Sequence, residues 1–284
     1  YGAVKFSDVE ETRQGTIITR QFSILVDPLQ AGFSDAKKDI ILFNQETKIS
    51  NLCSSIDFGK NEISVSTRSN LKKPWTNEGI SYPVKNKYIF SSEQDTGKKF
   101  YILSKPFKFP YKVADMIFLT SKKYCFTGTE IPEEVREDVL ALNPENIVVD
   151  NCTSGELKVC FGYGINCNIT VDANEESGIV SKNGKELRYV DNLLYAAIFS
   201  DKDIYDCNVK RLMYRSGKIA EEFIEKASLM DARGCNTNLE QDLISWKSAT
   251  SIATADELLT LRPLAYSIDT RNKRELCGLW EGSM

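Results

Sequence analysis

Histidine is absent from this 284-residue chain. Imidazole is the usual base of hydrolytic triads and the commonest metal ligand. Its absence excludes Ser-His-Asp and Cys-His nucleophiles, and every His-ligated zinc, copper, haem or non-haem iron site. Long apolar runs are missing too. The longest, Leu193-Leu-Tyr-Ala-Ala-Ile-Phe199, stops far short of the roughly 20 residues that a membrane-spanning helix needs. Lys and Arg never run beyond adjacent pairs, and 36 of them against 40 acids leave a net charge of −4. A nucleic-acid partner therefore lacks its electrostatic footprint. There is no Walker A motif and no G-x-G-x-x-G, so nucleotide chemistry has no motif behind it. No C-x-x-C pair occurs either, which removes the common redox and zinc spacings.

What is present is an ordinary globular balance, 42% hydrophobic and 27% charged, enough for one large domain or two smaller ones. The eight cysteines are Cys53, Cys125, Cys152, Cys160, Cys167, Cys207, Cys235 and Cys277. An even number scattered along the chain points to disulfides made in an oxidising compartment. Two sequons agree with export, Asn151-Cys152-Thr153 and Asn168-Ile169-Thr170, making Asn151 and Asn168 glycosylation candidates. The chain opens on Tyr1 rather than Met, so we expect a cleaved signal peptide or a membrane anchor ahead of it.

The first two thirds read as short β-branched and aromatic strands separated by turn residues. They include Phe22-Ser-Ile-Leu-Val26, Asp39-Ile-Ile-Leu-Phe43, Ile63-Ser-Val-Ser-Thr67, Lys87-Tyr-Ile-Phe90 and Phe100-Tyr-Ile-Leu103. Met116-Ile-Phe-Leu119, Leu157-Lys-Val-Cys-Phe161, Asn168-Ile-Thr-Val171 and Leu187-Arg-Tyr-Val190 follow. Asn183-Gly184 between apolar segments predicts a type I′ hairpin, since both turn positions need positive φ. Pro132 opens a short helix that Asn143-Pro144 stops.

From Ser200 the period changes to 3.6, with apolar residues at Ile204, Leu212, Ile219, Phe223, Ala227 and Met230. Ser200-x-x-Asp203 is expected to cap this long helix, Gly234 to end it. Thr237-x-x-Glu240 and Thr254-x-x-Glu257 open two further helices, and Pro263 is expected to kink or split the last. The fold class is therefore α+β: a β-sandwich-like domain over 1–195, then a helical hairpin or small bundle over 196–284, packed on it or projecting from it.

The candidate chemistry is sparse. Asp95-Thr96-Gly97 has the aspartic-protease tripeptide, but no second copy exists and polar residues flank it, so we read it as a hairpin turn. Ser69-Asn-Leu-Lys72 has the S-x-x-K spacing without its companion motifs. Asp172-Ala-Asn174-Glu175-Glu176 lacks the glycine and distant Glu of a calcium loop. Trp75, Trp246 and Trp280 are read as packing anchors. Lys105-Pro-Phe-Lys-Phe-Pro-Tyr111 is the one unusual cluster. Phe107, Phe109 and Tyr111 either form a docking ribbon for a partner or alternate into the core. Cys160 and Cys167 flank a turn-rich loop, and we expect them to be bonded. A continuous helix from Cys207 keeps it out of reach of Cys235, and Cys207–Cys277 is the preferred alternative.

Three stretches carry a resemblance: Lys112-Val-Ala-Asp-Met-Ile-Phe-Leu-Thr-Ser-Lys-Lys-Tyr-Cys-Phe126, Lys158-Val-Cys-Phe-Gly162, and Leu194-Tyr-Ala-Ala-Ile-Phe-Ser-Asp-Lys-Asp-Ile-Tyr-Asp-Cys-Asn-Val-Lys-Arg-Leu-Met213. Together they resemble uncharacterised membrane-anchored envelope proteins of small-genome archaea, a match that extends over about a third of the chain. The resemblance implies an extracytoplasmic protein on an N-terminal anchor, and transfers no active site.

The expectation is an exported, non-enzymatic cell-surface glycoprotein, a structural or interaction component of an envelope or filament. It needs no cofactor and no metal. Its partners would be other envelope or filament proteins, or copies of itself, with no nucleic acid and with membrane contact only through an anchor ahead of Tyr1. A recognition domain, such as an adhesin or viral attachment protein, is the first alternative. An exported carboxylate-dependent hydrolase is the second, and two acids with opposed pKa shifts in a deep pocket would mark it.

Overall fold

A computed structural model describes residues 37–68, 73–174 and 176–281. The strand expected at 22–26, the S-x-x-K motif at 69–72 and Glu175 lie outside the described residues. The fold is α+β, with two six-stranded sheets followed by helices.

The first sheet holds β1 (Lys37–Ser54), β2 (Lys60–Arg68), β3 (Tyr82–Lys85), β4 (Tyr88–Phe90), β5 (Gln94–Lys108) and β6 (Lys112–Thr120), in the order β3-β2-β1-β5-β6-β4. Only β4 and β6 run parallel. The sheet curls until β4 faces β2, and asparagine side chains close the gap that backbone leaves open. The Ile89 carbonyl accepts from the side-chain amides of Asn51 (3.1 Å), Asn61 (3.3 Å) and Asn208 (2.9 Å). The Asn61 Oδ1 accepts the Ile89 N–H at 3.2 Å. Inside the curl, Ile41, Ile49, Ile63, Val65, Val84, Ile89, Phe100, Ile102, Ile117 and Leu119 form a small apolar core.

The second sheet holds β7 (Tyr124–Thr127), β8 (Ile147–Val149), β9 (Leu157–Phe161), β10 (Ile169–Asn174), β11 (Ser177–Lys182) and β12 (Lys185–Val190), in the order β12-β11-β10-β9-β7-β8. Helix α1 (Glu133–Leu142) connects the parallel strands β7 and β8. It ends where Asn143 takes φ 43°. The β11–β12 hairpin turns on Asn183 and Gly184 with φ of 51° and 69°, the positive pair expected of this dipeptide.

Helices α2 (Leu193–Phe199), α3 (Lys202–Asp231), α4 (Glu240–Thr250) and α5 (Leu258–Arg274) complete the chain. The larger core is contiguous across residue 195, running from Phe90 and Phe118 through Phe126 and Phe161 to Leu212, Trp246 and Ile268.

Several expectations need correction. Asp95-Thr96-Gly97 is no turn: it lies inside β5, paired with Thr47, Lys48 and Ile49 of β1. The N-cap of helix α3 is Asp201, not Ser200, and makes no side-chain cap bond; the Ser200 hydroxyl turns back to the Ala196 carbonyl. Pro263 sits within a continuous α5 and splits nothing. The Phe107–Tyr111 ribbon presents no aromatic surface, since Phe107, Phe109 and Tyr111 are all buried. Phe109 meets Trp246, and Tyr111 meets Phe223 and Trp280. Their alternation carries the rings into the core, so the ribbon is a strut under α3 and α4.

The cysteines pair as Cys53–Cys207, Cys125–Cys152, Cys160–Cys167 and Cys235–Cys277, leaving none free. Cys207 is thus bonded to Cys53 of β1, not to Cys277. The expected bridge assumed that the chain after Leu239 makes one return pass along α3. It makes two passes instead: α4 packs along α3, the chain reverses at residues 251–254, and α5 comes back beside α4. The return is visible where the Asn238 side chain donates to the Glu275 carboxylate at 3.4 Å. Cys277 therefore arrives beside Cys235, with Cα atoms 5.9 Å apart.

Candidate functional site

A cleft of about 650 Å³ opens between the β6–β7 turn, the 152–156 loop, the start of β10, the β11–β12 hairpin and the end of α2. Each wall has a local cause. The β6–β7 turn carries Ser121, Lys122 and Lys123. The carboxylate of Asp95 holds it in place by accepting the Ser121 N–H at 2.7 Å and the Ser121 hydroxyl. Gly97 makes room for it, because a Cβ there would lie 2.9 Å from the Ser121 Cβ. The protease-like tripeptide thus seats this turn.

Two disulfides pin neighbouring walls. Cys125–Cys152 ties β7 to the loop that brings Gly155 to the cleft, and Cys160–Cys167 ties β9 to the loop preceding Asn168. Gly164 allows the second, since a Cβ there would lie 2.5 Å from the Cys160 Sγ. Asn168 is then held by its own Oδ1, which accepts the Lys158 N–H at 2.8 Å.

The floor is apolar, made by Leu157, Ile169, Ile198 and Phe199 with the ring of Tyr124. The rim is cationic. Lys122 donates to the Ser92 hydroxyl at 3.2 Å. Lys182, from the hairpin, donates to the carbonyls of Ile198 and Ser200 at the end of α2. Burial pushes the Lys182 ammonium down to about 7, with Lys122 adding to the shift and Asp201 opposing it. Asp201 is the one carboxylate lining the cleft, and its oxygen already accepts the Glu93 N–H at 2.9 Å. The arrangement can hold an anion against three ammonium groups over an apolar bed.

A second pocket gathers acids but has little room. Glu134, Asp138, Glu176 and Asp191 line a void of about 30 Å³, space for about one water. Asp138 is held by Lys105 and by the Tyr195 hydroxyl. Burial, then the charge of Glu134, lifts the Asp191 carboxyl to about 7. A sugar ring does not fit in that volume, so these acids offer no support for glycoside hydrolysis.

Among the other sequence candidates, Asn151 and Asn168 are both exposed, Asn151 beside the Cys125–Cys152 bridge and Asn168 on the rim of the cleft. Asp172 and Asn174 lie in β10 rather than in a loop. Among the described residues, no group of three or more Cys, Asp or Glu side chains is placed to hold a metal ion. None of the described helices is long and apolar enough to cross a membrane. The cleft lysines were not among the sequence candidates. The available signals were the Lys122-Lys123 pair between two strand patterns and a lysine directly before Asn183-Gly184.

No protein-family model, curated protein or solved structure matches this chain. Four disulfides with no free cysteine are compatible with an extracellular protein.

Proposed function

We propose that the chain is an exported cell-surface protein of an envelope, acting through binding rather than chemistry. The observation that carries this reading is the placement of the disulfides. Cys125–Cys152 and Cys160–Cys167 are placed on the two loops that wall the lysine-lined cleft of about 650 Å³, which fits recognition by a preformed surface. That placement favours the recognition-domain alternative over a purely structural filament component, with the cleft replacing the buried aromatic ribbon as the contact surface. Exposed Asn151 and Asn168 fit the glycoprotein expectation, and an anchor ahead of Tyr1 would hold the domain outward. The test is surface labelling of intact source cells with a membrane-impermeant lysine reagent, followed by non-reducing peptide mapping. The expected result is labelled lysines in a chain with all four bridges formed. A chain that is labelled only after lysis, with free thiols, would overturn the reading.

A further inference from the structure

We propose that the lysine-lined cleft binds the carboxylate of an acidic saccharide. This rests on the surface-binding reading and names its ligand class. Four features of the cleft lead there.

Its volume of about 650 Å³ lies in the range of small-ligand pockets, roughly 300–1,000 Å³, and exceeds what a bare inorganic anion would fill. Its charge is lopsided: Lys122, Lys123 and Lys182 face a single carboxylate, Asp201, that is already engaged by the Glu93 N–H. A ligand bringing one negative charge offsets the charge that Lys122 places on Lys182, and charge-assisted hydrogen bonds are the stronger kind. Lysines rather than arginines meet it, so the charge is held by point contacts and not by a planar fork.

The rest of the lining is mixed. Hydroxyls of Ser92 and Ser121 and amides of Asn168 and Asn183 stand over Tyr124, Leu157, Ile169 and Phe199. Sugar hydroxyls suit the first set and the C–H face of a pyranose suits the second. Finally, the walls are fixed before any ligand arrives, by two disulfides and by the Asp95–Ser121 clamp, which lowers the ordering cost of binding.

Asn168 lies in a sequon on the rim, so the saccharide has two sources: a separate surface polymer, or the protein's own glycan.

The experiment uses the full chain made without glycosylation and titrates it calorimetrically with trigalacturonate, with maltotriose, and with inorganic phosphate. We expect trigalacturonate to bind and maltotriose to bind at least about tenfold more weakly, the loss expected for one charged contact. Phosphate should fail to displace the trigalacturonate at equal concentration. Lys122→Gln/Lys123→Gln, which changes only exposed side chains, should weaken trigalacturonate about tenfold or more while non-reducing mapping shows the same four bridges. Lys182→Gln is the more direct variant but unseats two α2 carbonyls, so the Lys122/Lys123 pair decides.

Equal affinity for maltotriose, full displacement by phosphate, no change in the double variant, or no binding of trigalacturonate would each overturn the proposal. Surface labelling would still judge the broader reading separately. Comparing natural protein with Asn168→Gln protein from the same cells separates the sources: tighter probe binding in the variant identifies the protein's own glycan, and equal binding identifies an external one.

Discussion

Two side chains give the molecule opposite responses to pH. Asp191 is held up at about 7 by burial and by Glu134. An acid whose folded-state pKa is raised contributes stability that is complete below the unfolded value, near 4, and lost as pH rises towards 7. Asp191→Asn removes that slope. Asn also tolerates the left-handed φ of 48° at this position. The variant should therefore melt above the wild type at pH 7, with the difference shrinking toward pH 4. Thermal melts across that range check this, and a variant that is less stable at pH 7 would refute it. Lys182 runs the other way. Its folded-state value is depressed to about 7, so its contribution grows as pH rises from about 7 towards 10.5 and is absent below. Facing it are Lys122 from the β6–β7 turn and Asp201 at the start of α3. An anion in the cleft favours the charged lysine, so calorimetry should show trigalacturonate affinity falling as pH rises above about 7. Neither group was legible in the sequence. Asp191 is an ordinary turn residue until Glu134 and Tyr189 close over it, and Lys182 is an ordinary hairpin lysine until α2 ends beside it.

At the scale of elements, strands were legible from composition and the long helix from its period. Residues of β2, β6, β9, β10 and β12 announced themselves as β-branched and aromatic segments between turn residues, and α3 by its apolar stripe. Strand β1 was only partly visible because Asn44-Gln45-Glu46-Thr47 is polar. It is a strand because β2 and β5 pair with it from both sides, a tertiary cause that local propensity does not carry. Strands β3, β7 and β8 have three or four residues each and offered too few positions for a period to show. The tripeptide Asp95-Thr96-Gly97 misled for a related reason: polar residues around it suggested a turn, while its partner Ser121 lies on another element. Gly97→Ala should cost about 1–3 kcal/mol, the usual penalty of overpacking. Adding Ser121→Gly, which removes the opposing Cβ, should recover part of it. Denaturant melts of the single and double variants test this, and an equal loss in both would show that the close approach does not matter.

Helix α3 is fastened to the first sheet by one buried cation. Arg211 is fully buried and donates to Phe58 O at 3.0 Å, Asn61 Oδ1 at 2.6 Å and Asn208 Oδ1 at 2.7 Å. It stacks on Tyr88 at 4.7 Å, and no carboxylate pairs with it among the described residues. Burial lowers its pKa to about 10, so it remains charged at neutral pH. Lysine cannot reproduce the fork or the stacking, and it would leave buried acceptors unmet. Arg211→Lys should therefore cost about 2–4 kcal/mol in denaturant melts, despite keeping the charge. A change within 0.5 kcal/mol, the scatter of surface substitutions, would mean that the network relaxes around lysine.

The whole molecule is held by bridges of very different reach, and their separations order their effects. Cys53–Cys207 closes 154 residues, Cys235–Cys277 closes 42, Cys125–Cys152 closes 27 and Cys160–Cys167 closes 7. Loop-closure entropy grows with the logarithm of loop length, which gives about 5, 4, 3.5 and 2.5 kcal/mol in that order. The longest bridge fastens α3 to β1 beside Arg211, so its loss also loosens the joint between the first sheet and the helices. The shortest fastens only the loop before Asn168. Replacing both cysteines of one bridge by serine at a time should therefore separate two properties. Without Cys53–Cys207, global stability to denaturant should fall most, while the cleft walls formed by the second sheet keep their own two bridges. Without Cys160–Cys167, global stability should fall least, but binding of trigalacturonate should weaken, because a cleft wall is freed. Melting and titration of the four double variants measure both. If the Cys160→Ser/Cys167→Ser protein keeps full affinity, then that bridge serves the fold alone and does not prepare the cleft for a ligand.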